Sequence, residues 1–229
     1  MEPAASPPMY VVWAGEVPYD VALGWQERLV AARQEDAIDD VLLLLTHPPT
    51  YTAGRHADVE ANLTGRRPDI PVVRIDRGGD LTYHGPGQVV AYPILRLAQR
   101  GAAKAYVTAL EQALIDVLGS YGVGADRRAG YPGVWVARAD GPPDKIAAIG
   151  VRITRGVSKH GIALNVDPVM ADFDGIVPCG ITDGGVTSLA AQGVDVDVED
   201  VRTRLGSALA RSLGRTPQPA RPSDLGLWG

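Results

Sequence analysis

Residues 77–88 read Arg-Gly-Gly-Asp-Leu-Thr-Tyr-His-Gly-Pro-Gly-Gln, a glycine-rich segment between two predicted strands. Its four glycines let the backbone turn sharply or come close to a ligand. Between them stand side chains that form hydrogen bonds: Arg77, Thr82, Tyr83 and His84. No helix is predicted directly after the segment, and its glycine spacing differs from a dinucleotide-binding fingerprint. Taken alone, it fits either a ligand-binding loop or a plain glycine-rich hairpin.

The elements around this segment predict an α+β fold with one central mixed β-sheet flanked by helices. Apolar residues at helical spacing predict helices over 18–33, 103–121 and 198–213. Short apolar runs predict strands over 10–14, 41–45, 72–75, 88–95, 134–137, 145–153 and 161–166. Helices separate the early strands, whereas the later strands cluster, and this mixed order favours α+β. Pro93 places the end of its strand near an edge or a bulge.

No linker-like stretch interrupts the middle of the chain, so we predict one domain over residues 9–214. Residues 1–8 are rich in proline, alanine and serine, and we expect them to be disordered. The proline-rich residues 215–229 are expected to form a loosely packed tail. The longest aliphatic run, 41–45, is too short to span a bilayer, and the first residues lack the features of a signal peptide.

The charge and cysteine content limit the partners that this chain can bind. It has 229 residues with 22 basic and 27 acidic side chains, a net charge of −5, which disfavours nucleic-acid binding. Its one cysteine, Cys179, excludes an intrachain disulfide and a cysteine-based zinc site and fits a reducing compartment. We therefore predict a cytoplasmic protein without a metal, a nucleic-acid partner or a membrane partner.

Two further segments carry reactive side chains. Lys145 opens a strand of small residues, either as a solvated edge residue or as a partly desolvated amine suited to catalysis. Cys179 stands between a proline and a glycine rather than in an apolar run, so it is either an exposed nucleophile or a small buried hydrophobe. His160 precedes Gly161 and fits a buried, hydrogen-bonded histidine at the start of a strand.

Together these segments resemble the lipoyl/octanoyl transferases. The signature Arg-Gly-Gly-x-x-Thr-aromatic-His-x-x-Gly-Gln-x-aliphatic-x-Tyr is met in full over residues 77–92. Shorter stretches that are similar to the family occur at 47–54, 132–136, 145–150, 160–165 and 178–181. The resemblance covers about residues 10–213. The chain departs from the pattern by a Gly-Pro-Pro insertion at 141–143 and by Ser158 and Lys159, none of which removes a key residue.

The resemblance implies the catalytic-domain fold shared with biotin and lipoate protein ligases, and an enzyme without a cofactor. It implies octanoyl-acyl carrier protein as the donor. The implied acceptors are lipoyl domains of 2-oxoacid dehydrogenase complexes and the glycine cleavage H protein. Cys179 is implied as the nucleophile that becomes an acyl-thioester, and Lys145 as the group that activates it and later serves as a base. The implied substrate pocket consists of Arg77, Gly78, Gly79, Asp80, Leu81, Thr82, Tyr83, His84, Ala148, Ile149, Gly150, Gly161, Ile162 and Ala163.

Two other functions are compatible with parts of this pattern. An ATP-using lipoate or biotin ligase shares the glycine-rich loop and an equivalent lysine but needs no cysteine. A catalytically silent module that binds lipoyl domains would lack Cys179 or Lys145. Since both residues are present, we predict an acyltransferase. The role of His84 stays open between orienting the acyl carbonyl and forming a structural hydrogen bond.

Overall fold

The computed structural model describes residues 6–97, 101–177 and 184–227. In chain order the strands are β1 (Pro8–Glu16), β2 (Asp40–Thr46), β3 (Thr50–Ala53), β4 (Val72–Arg74), β5 (Leu81–His84), β6 (Gln88–Ile94), β7 (Ala125–Arg128), β8 (Tyr131–Val136), β9 (Asp144–Thr154), β10 (Val157–Asn165) and β11 (Thr216–Ala220). The α-helices are α1 (Tyr19–Gln34), α2 (Val59–Asn62), α3 (Ala103–Ser120) and α4 (Val198–Ser212). Short 3₁₀ helices occur at Met170–Gly175, Ala190–Gln192 and Pro222–Leu225. Within the described residues, no helix is both long enough and apolar enough to cross a membrane.

Eight strands form the main sheet in the order β11-β1-β2-β6-β10-β9-β8-β7. The pairs β11–β1 and β1–β2 are parallel, and the other neighbouring pairs are antiparallel. Strands β4, β3 and β5 form a separate small sheet. The predicted α+β fold with one central mixed sheet is therefore confirmed. The sequence pattern did not reveal the short strands β3, β5 and β7.

Helices cover both faces of the main sheet. Helices α3 and α4 pack on one face, where Leu110, Leu114 and Leu209 are fully buried. Helix α1 covers the other face with Trp25 and Leu29. Residues 41–45 of β2 are all apolar because both faces of the strand are covered, as is typical of an interior strand. The two helical layers hold the middle of the sheet in a rigid frame, and the candidate site is built there.

Pro93 lies in an interior strand, because β6 is flanked by β2 and β10. The ladder between β6 and β10 stops at the pair Ala91–Ile162, two residues before this proline. Beyond that point the Ser158 hydroxyl donates to the Pro93 carbonyl (2.7 Å) and accepts from the amide of Leu95 (3.0 Å). The proline, which has no N–H to donate, thus stands at an interruption of the ladder. Pro93 was expected near an edge or a bulge. The edge position is wrong, because Pro93 lies in an interior strand where the ladder to β10 is interrupted.

The predicted loose tail at 215–229 is wrong for residues 215–227. Strand β11 pairs in parallel with β1, and Leu227 is buried. The Arg215 guanidinium donates to the buried carboxylate of Asp40 at 2.6 Å, which ties the end of the chain to β2. Prolines are tolerated in β11 because it is an edge strand. At the other terminus β1 already begins at Pro8, while residues 1–5 lie outside the described ranges.

Candidate active site

A slot opens over the middle of the main sheet, where β9 and β10 run side by side. The cross-strand pairs Ala148–Ala163 and Gly150–Gly161 place four small residues in its wall. Its space, including the mouth, measures about 430 Å³. The remaining wall residues are Tyr19, Arg77, Gly79, Thr82, His84, Tyr92, Ile149, His160 and Ile162. Ten of the fourteen residues that the resemblance implied for the substrate pocket therefore line one cavity.

Strand β5 divides its residues between two environments, because successive side chains of a strand point to opposite faces. Thr82 and His84 line the slot. Leu81 and Tyr83 lie in a different apolar cluster beneath the small sheet, where the Tyr83 hydroxyl donates to Asp172 at 2.6 Å. The prediction that Leu81 and Tyr83 belong to the substrate pocket is therefore wrong as far as contact with the slot is concerned.

Arg77 is buried at the edge of the slot. Its guanidinium donates to the carbonyl (2.6 Å) and the hydroxyl (3.0 Å) of Thr52 and to the carbonyl of Gly78 (3.0 Å). These bonds hold the glycine-rich turn against the small sheet. Gly54 is required there, because a Cβ atom at that position would lie 2.0 Å from the carbonyl oxygen of Gly79. Gly54 thus allows the small sheet to pack closely against the backbone of the glycine-rich turn.

Three aromatic rings line the slot, those of Tyr19, His84 and Tyr92, and the His47 ring packs against all three to complete an aromatic cluster. His47 is fixed by two 2.7 Å hydrogen bonds: Nδ1 donates to the carbonyl of Val17, and Nε2 accepts from the hydroxyl of Tyr92. The His47 ring centroid lies 4.8 Å from that of Tyr19 and 5.6 Å from that of His84. Burial lowers the pKa of His47 to about 4 and raises the pKa of Tyr19 to about 12, so both groups are neutral at pH 7.

Within this cluster His84 differs from His47 in its hydrogen bonding. Its Nδ1 atom is buried and has no hydrogen-bond partner among the described residues. Burial, and then the nearby His47 ring, lower the pKa of His84 well below its usual value. A neutral imidazole with an unused ring nitrogen at the slot can contact a polar atom of a ligand. Tyr19 and Tyr92 were not predicted to line the pocket, although Tyr92 ends the signature over residues 77–92.

At another part of the slot wall, His160 adopts an unusual backbone conformation. Its φ is 60°, which side-chain-bearing residues rarely adopt, and it is buried as expected. Its Nε2 lies 2.7 Å from the carboxylate of Asp76, which also pairs with Lys159 (3.2 Å) and Arg152 (3.0 Å). Burial outweighs the effect of Asp76 and lowers the pKa of His160 to about 4, so the bond is made by a neutral imidazole.

A second cavity of about 840 Å³, including its mouth, adjoins the slot. Its lining residues are Gly78, Gly79, Asp80, Val107, Gly130, Tyr131, Pro132, Lys145, Ile149, Gly150 and Val151. Gly79, Ile149 and Gly150 belong to the walls of both cavities, so these residues separate the two spaces. Gly78 and Asp80, which were predicted for the substrate pocket, line this second cavity and not the slot.

Lys145 is buried in the wall of the second cavity, with 8% of its surface exposed. Strand β9 is an interior strand, so the interpretation of Lys145 as a solvated edge residue is wrong. Its Nζ lies 4.7 Å from the centre of the Trp135 ring, within cation–π distance. Its stem runs past Gly133, where a Cβ atom would stand 3.4 Å from Cε of the lysine. Strand β8 thus fixes the direction in which this amine points.

Cys179 lies outside the described residues, as do the other residues of the segment 178–183. The chain on both sides of that segment is anchored. Before it, the amide of Val177 donates to the carbonyl of Asn62 at 2.8 Å. After it, the amide of Lys145 donates to the carbonyl of Gly185 (2.9 Å), and the amide of Thr187 donates to the carbonyl of Lys145 (3.0 Å). The residues that follow the cysteine segment are therefore hydrogen-bonded to the main chain of Lys145.

A comparison with protein families agrees with this architecture. The sequence model of the lipoyl protein ligase A/B catalytic domain matches residues 18–210. The chain belongs to this family. Curated proteins named octanoyltransferase are similar to it over most of its length. One from Brucella abortus (strain 2308) is 43% identical over 222 residues, covering 93% of this chain and 82% of the relative. One from Corynebacterium jeikeium (strain K411) is 47% identical over 206 residues, covering 87% and 85%.

Solved structures of the lipoyl protein ligase A/B family share the fold at low sequence identity. A lipoate-protein ligase A bound with ATP superposes with a TM-score of 0.75 at 14% identity, covering 97% of this chain and 92% of that one. A putative lipoate protein ligase from Thermoplasma acidophilum with bound lipoic acid gives 0.73 at 13% identity, covering 96% and 92%. These matches confirm the predicted ligase-like catalytic-domain fold, whereas the resemblance to octanoyltransferases is confirmed by the curated relatives.

Proposed function

We propose that this protein is an octanoyltransferase that moves an octanoyl group from an acyl carrier protein to a lysine of a lipoyl domain. The curated relatives named octanoyltransferase, at 43–47% identity, support the reaction class. The observation that carries the proposal is the pair of adjoining cavities, a narrow slot walled by small residues beside a larger one that contains the buried Lys145.

The slot suits a straight acyl chain. Ala148 and Ala163 are small, and Gly150 and Gly161 carry no side chain, so a straight chain can lie over the two paired strands. Transfer of an apolar chain from water into such a wall is favourable by about 0.8 kcal/mol for each buried methylene. The neutral rings of the aromatic cluster add polarisable surface without adding charge. An acyl group is thereby held while its carbonyl carbon reacts.

In the first half-reaction, the thiolate of Cys179 attacks the carbonyl carbon of the donor thioester. The new carbon–sulfur bond forms as the bond to the carrier sulfur breaks, and the departing carrier thiolate takes a proton from Lys145, which is left as a neutral amine. This exchange is nearly balanced in energy, so the main requirement is an ionised thiol. A free cysteine is mostly protonated at pH 7. We assign Lys145 as the nearby cation that favours ionisation.

In the second half-reaction, an amine of the acceptor attacks the octanoyl-cysteine. The amide bond forms, the carbon–sulfur bond of the acyl-enzyme breaks, and Cys179 leaves as a thiolate. The proton of the attacking amine passes to the neutral amine of Lys145, which acts as a general base. An amide is more stable than a thioester, so this step runs downhill without a nucleotide. The proposed mechanism thus needs no cofactor.

The donor is proposed to be an acidic carrier protein. Arg55 and Arg74 are exposed beside the glycine-rich turn, and within the described residues neither forms an ion pair. Arg152 is already paired with Asp76, so it contributes less uncompensated charge. Positive charge near the opening steers an acidic partner towards it.

For acceptors we propose the lipoyl domains of 2-oxoacid dehydrogenase complexes and the glycine cleavage H protein. The proposed compartment is the reducing cytoplasm, where Cys179 stays a free thiol.

An ATP-dependent lipoate ligase is the second candidate. It is favoured by the fold match to a ligase whose structure holds ATP, although at 14% identity that match speaks only for the fold. A ligase starts from a free acid, which must first be joined to AMP, and it needs no cysteine nucleophile. The proposed transferase starts from a thioester that is already activated. The two functions therefore differ in their need for ATP and in the role of Cys179.

The test uses the full chain, octanoyl-acyl carrier protein and intact-protein mass spectrometry without ATP or magnesium. We expect one octanoyl group to be added to the wild-type protein and none to Cys179→Ser, a change that leaves the side-chain volume nearly the same. Addition of a lipoyl domain is expected to remove the group and give octanoylated lysine. Transfer from free octanoate only when ATP is supplied would establish the ligase instead.

A further inference from the structure

We propose that the second cavity is the binding site for the acceptor's lysine side chain, and that Asp80 recognises its ammonium group. This proposal rests on the proposed function and adds a site to it. An acceptor lysine consists of a four-carbon stem that ends in a positive charge, so its site requires an apolar channel with an anionic group. The second cavity has both features, whereas the slot has a wall suited to an uncharged chain.

The walls of the second cavity fit the stem of a lysine. Val107, Val151 and Ile149 present aliphatic surface, and Pro132 adds to it. Tyr131 lines the same cavity and is 39% exposed, which is unusual for an aromatic residue that only supports a core. An apolar, open wall of this kind can hold methylene groups while the charged end of the side chain passes inward.

Asp80 supplies the anionic group. Its carboxylate is half-buried and accepts two hydrogen bonds, from Nδ2 of Asn62 to Oδ2 (2.7 Å) and from the amide of Leu81 to Oδ1 (2.9 Å). Both donors are neutral, so they orient the carboxylate without cancelling its charge. An ionised carboxylate has about four acceptor positions, so it retains capacity for an ammonium group. Within the described residues Asp80 takes part in no ion pair.

Asp76, on the other side of the same glycine-rich turn, is a carboxylate whose negative charge is balanced by ion pairs. Asp76 is paired with Lys159 at 3.2 Å and with Arg152 at 3.0 Å. It is thereby committed to holding β4, β9 and β10 together. Asp80 lines an open cavity with its charge uncompensated, in the same wall as Lys145. The carboxylate of Asp80 is therefore available to a cationic ligand that enters this cavity.

The proposed order of events follows from the two groups. The acceptor ammonium first binds to the carboxylate of Asp80 as a charge-assisted hydrogen bond. It then releases one proton to water, and the free amine attacks the octanoyl-cysteine while its second proton passes to the neutral amine of Lys145, as described above. The donor thioester is uncharged at its reacting end and gains nothing from a carboxylate. Asp80 is therefore expected to serve the second half-reaction and not the first.

The test separates the two half-reactions in Asp80→Asn. The amide of Asn62 can rotate so that its oxygen accepts from the new side chain, and the amide of Leu81 keeps its acceptor, so the turn is retained. Asp195→Asn, an exposed carboxylate before α4, is the matched control. Octanoyl-enzyme is prepared from each protein with octanoyl-acyl carrier protein. It is then discharged with a lipoyl domain, with butylamine, which is an ammonium at pH 8, or with hydroxylamine, which is neutral at that pH.

We expect Asp80→Asn to form octanoyl-enzyme at the wild-type rate and to show an about tenfold higher KM for the lipoyl domain, the effect of one partly exposed charge-assisted hydrogen bond. Discharge by butylamine should slow by the same factor, while discharge by hydroxylamine should not change. An unchanged rate with butylamine would overturn the proposal, and so would equal slowing with both small nucleophiles, which would indicate a structural role. If the wild-type protein forms no octanoyl-enzyme, the proposed function itself fails.

Discussion

Gly150 stands in the wall between the two cavities, and replacing it with alanine tests whether its close packing against Arg77 matters. A Cβ atom there would lie 2.8 Å from Cδ of Arg77 and 3.2 Å from the carbonyl oxygen of Gly78. An ordinary contact begins at 3.4 Å, so the Arg77 stem would have to move by at least 3.4 − 2.8 = 0.6 Å. Arg77 is buried and its guanidinium bonds to Thr52, so this movement strains those hydrogen bonds.

The change in the free energy of unfolding of Gly150→Ala is the sum of two opposing effects. Replacing glycine by alanine in a strand restricts the unfolded chain and stabilises the protein by about 0.4–1 kcal/mol. Overpacking a buried site costs about 1–3 kcal/mol. We expect Gly150→Ala to lower the free energy of unfolding by about 1–2 kcal/mol, which for a chain of this size lowers Tm by about 2–4 °C per kcal/mol. Displacement of Arg77 at the slot is expected to reduce octanoyl transfer about ten- to a hundredfold.

Gly119→Ala is the matched control. Gly119 lies in α3, and a Cβ atom there meets nothing within 4 Å. This change should stabilise the protein by about 0.5–1 kcal/mol and leave transfer unchanged. Thermal unfolding and single-turnover transfer from octanoyl-acyl carrier protein are measured for both variants. If Gly150→Ala behaves like the control in both assays, the argument that Gly150 is required for close packing against Arg77 is refuted.

Two further variants probe the activation of the thiol and the docking of the donor. Lys145→Ala should slow alkylation of Cys179 by iodoacetamide at pH 7 and move the rate–pH curve to higher pH, because the buried cation is removed. Lys104→Ala on α3, the control, should do neither. An unchanged curve for Lys145→Ala would leave Lys145 without an activating role. Replacing Arg55 and Arg74 together by serine should lower the rate of association with octanoyl-acyl carrier protein about tenfold and weaken the dependence of that rate on salt. An association rate equal to that of the wild type at low ionic strength would contradict electrostatic steering.

The sequence pattern predicted the elements whose environment is uniform along their length. Helices α1, α3 and α4 have one apolar face, and residues 41–45 of β2 are all apolar, so periodicity and run length located all four to within about two residues. Strands β3 and β5 were not predicted, because they are short and their side chains are shared between the slot and a second apolar cluster. Strand β11 was missed because its prolines resemble a loop, although they are acceptable at an edge.

The candidate site was predicted in part. The motif containing Thr82 and His84 was expected to form a pocket, and these two residues line the slot. In a strand, alternate side chains point to opposite faces, so Leu81 and Tyr83 face away from Thr82 and His84. This difference was not predicted because β5 was not predicted as a strand. Tyr19 carries no such signal. It lies at the start of α1, far from the other residues in the chain, and only the packing of α1 on the sheet brings it to the slot.

The sequence by itself determined the type of fold and the family, and it predicted Cys179 and Lys145 as a reactive pair, which stays a prediction. These depend on local periodicity and on short motifs, which are written in consecutive residues. The tertiary structure alone decided that the predicted pocket is two cavities, that Lys145 faces Trp135, and that Asp80 lies with Lys145 rather than with the slot. Those facts depend on the pairing of strands distant in sequence, and no local pattern specifies which side of β9 a loop will cover.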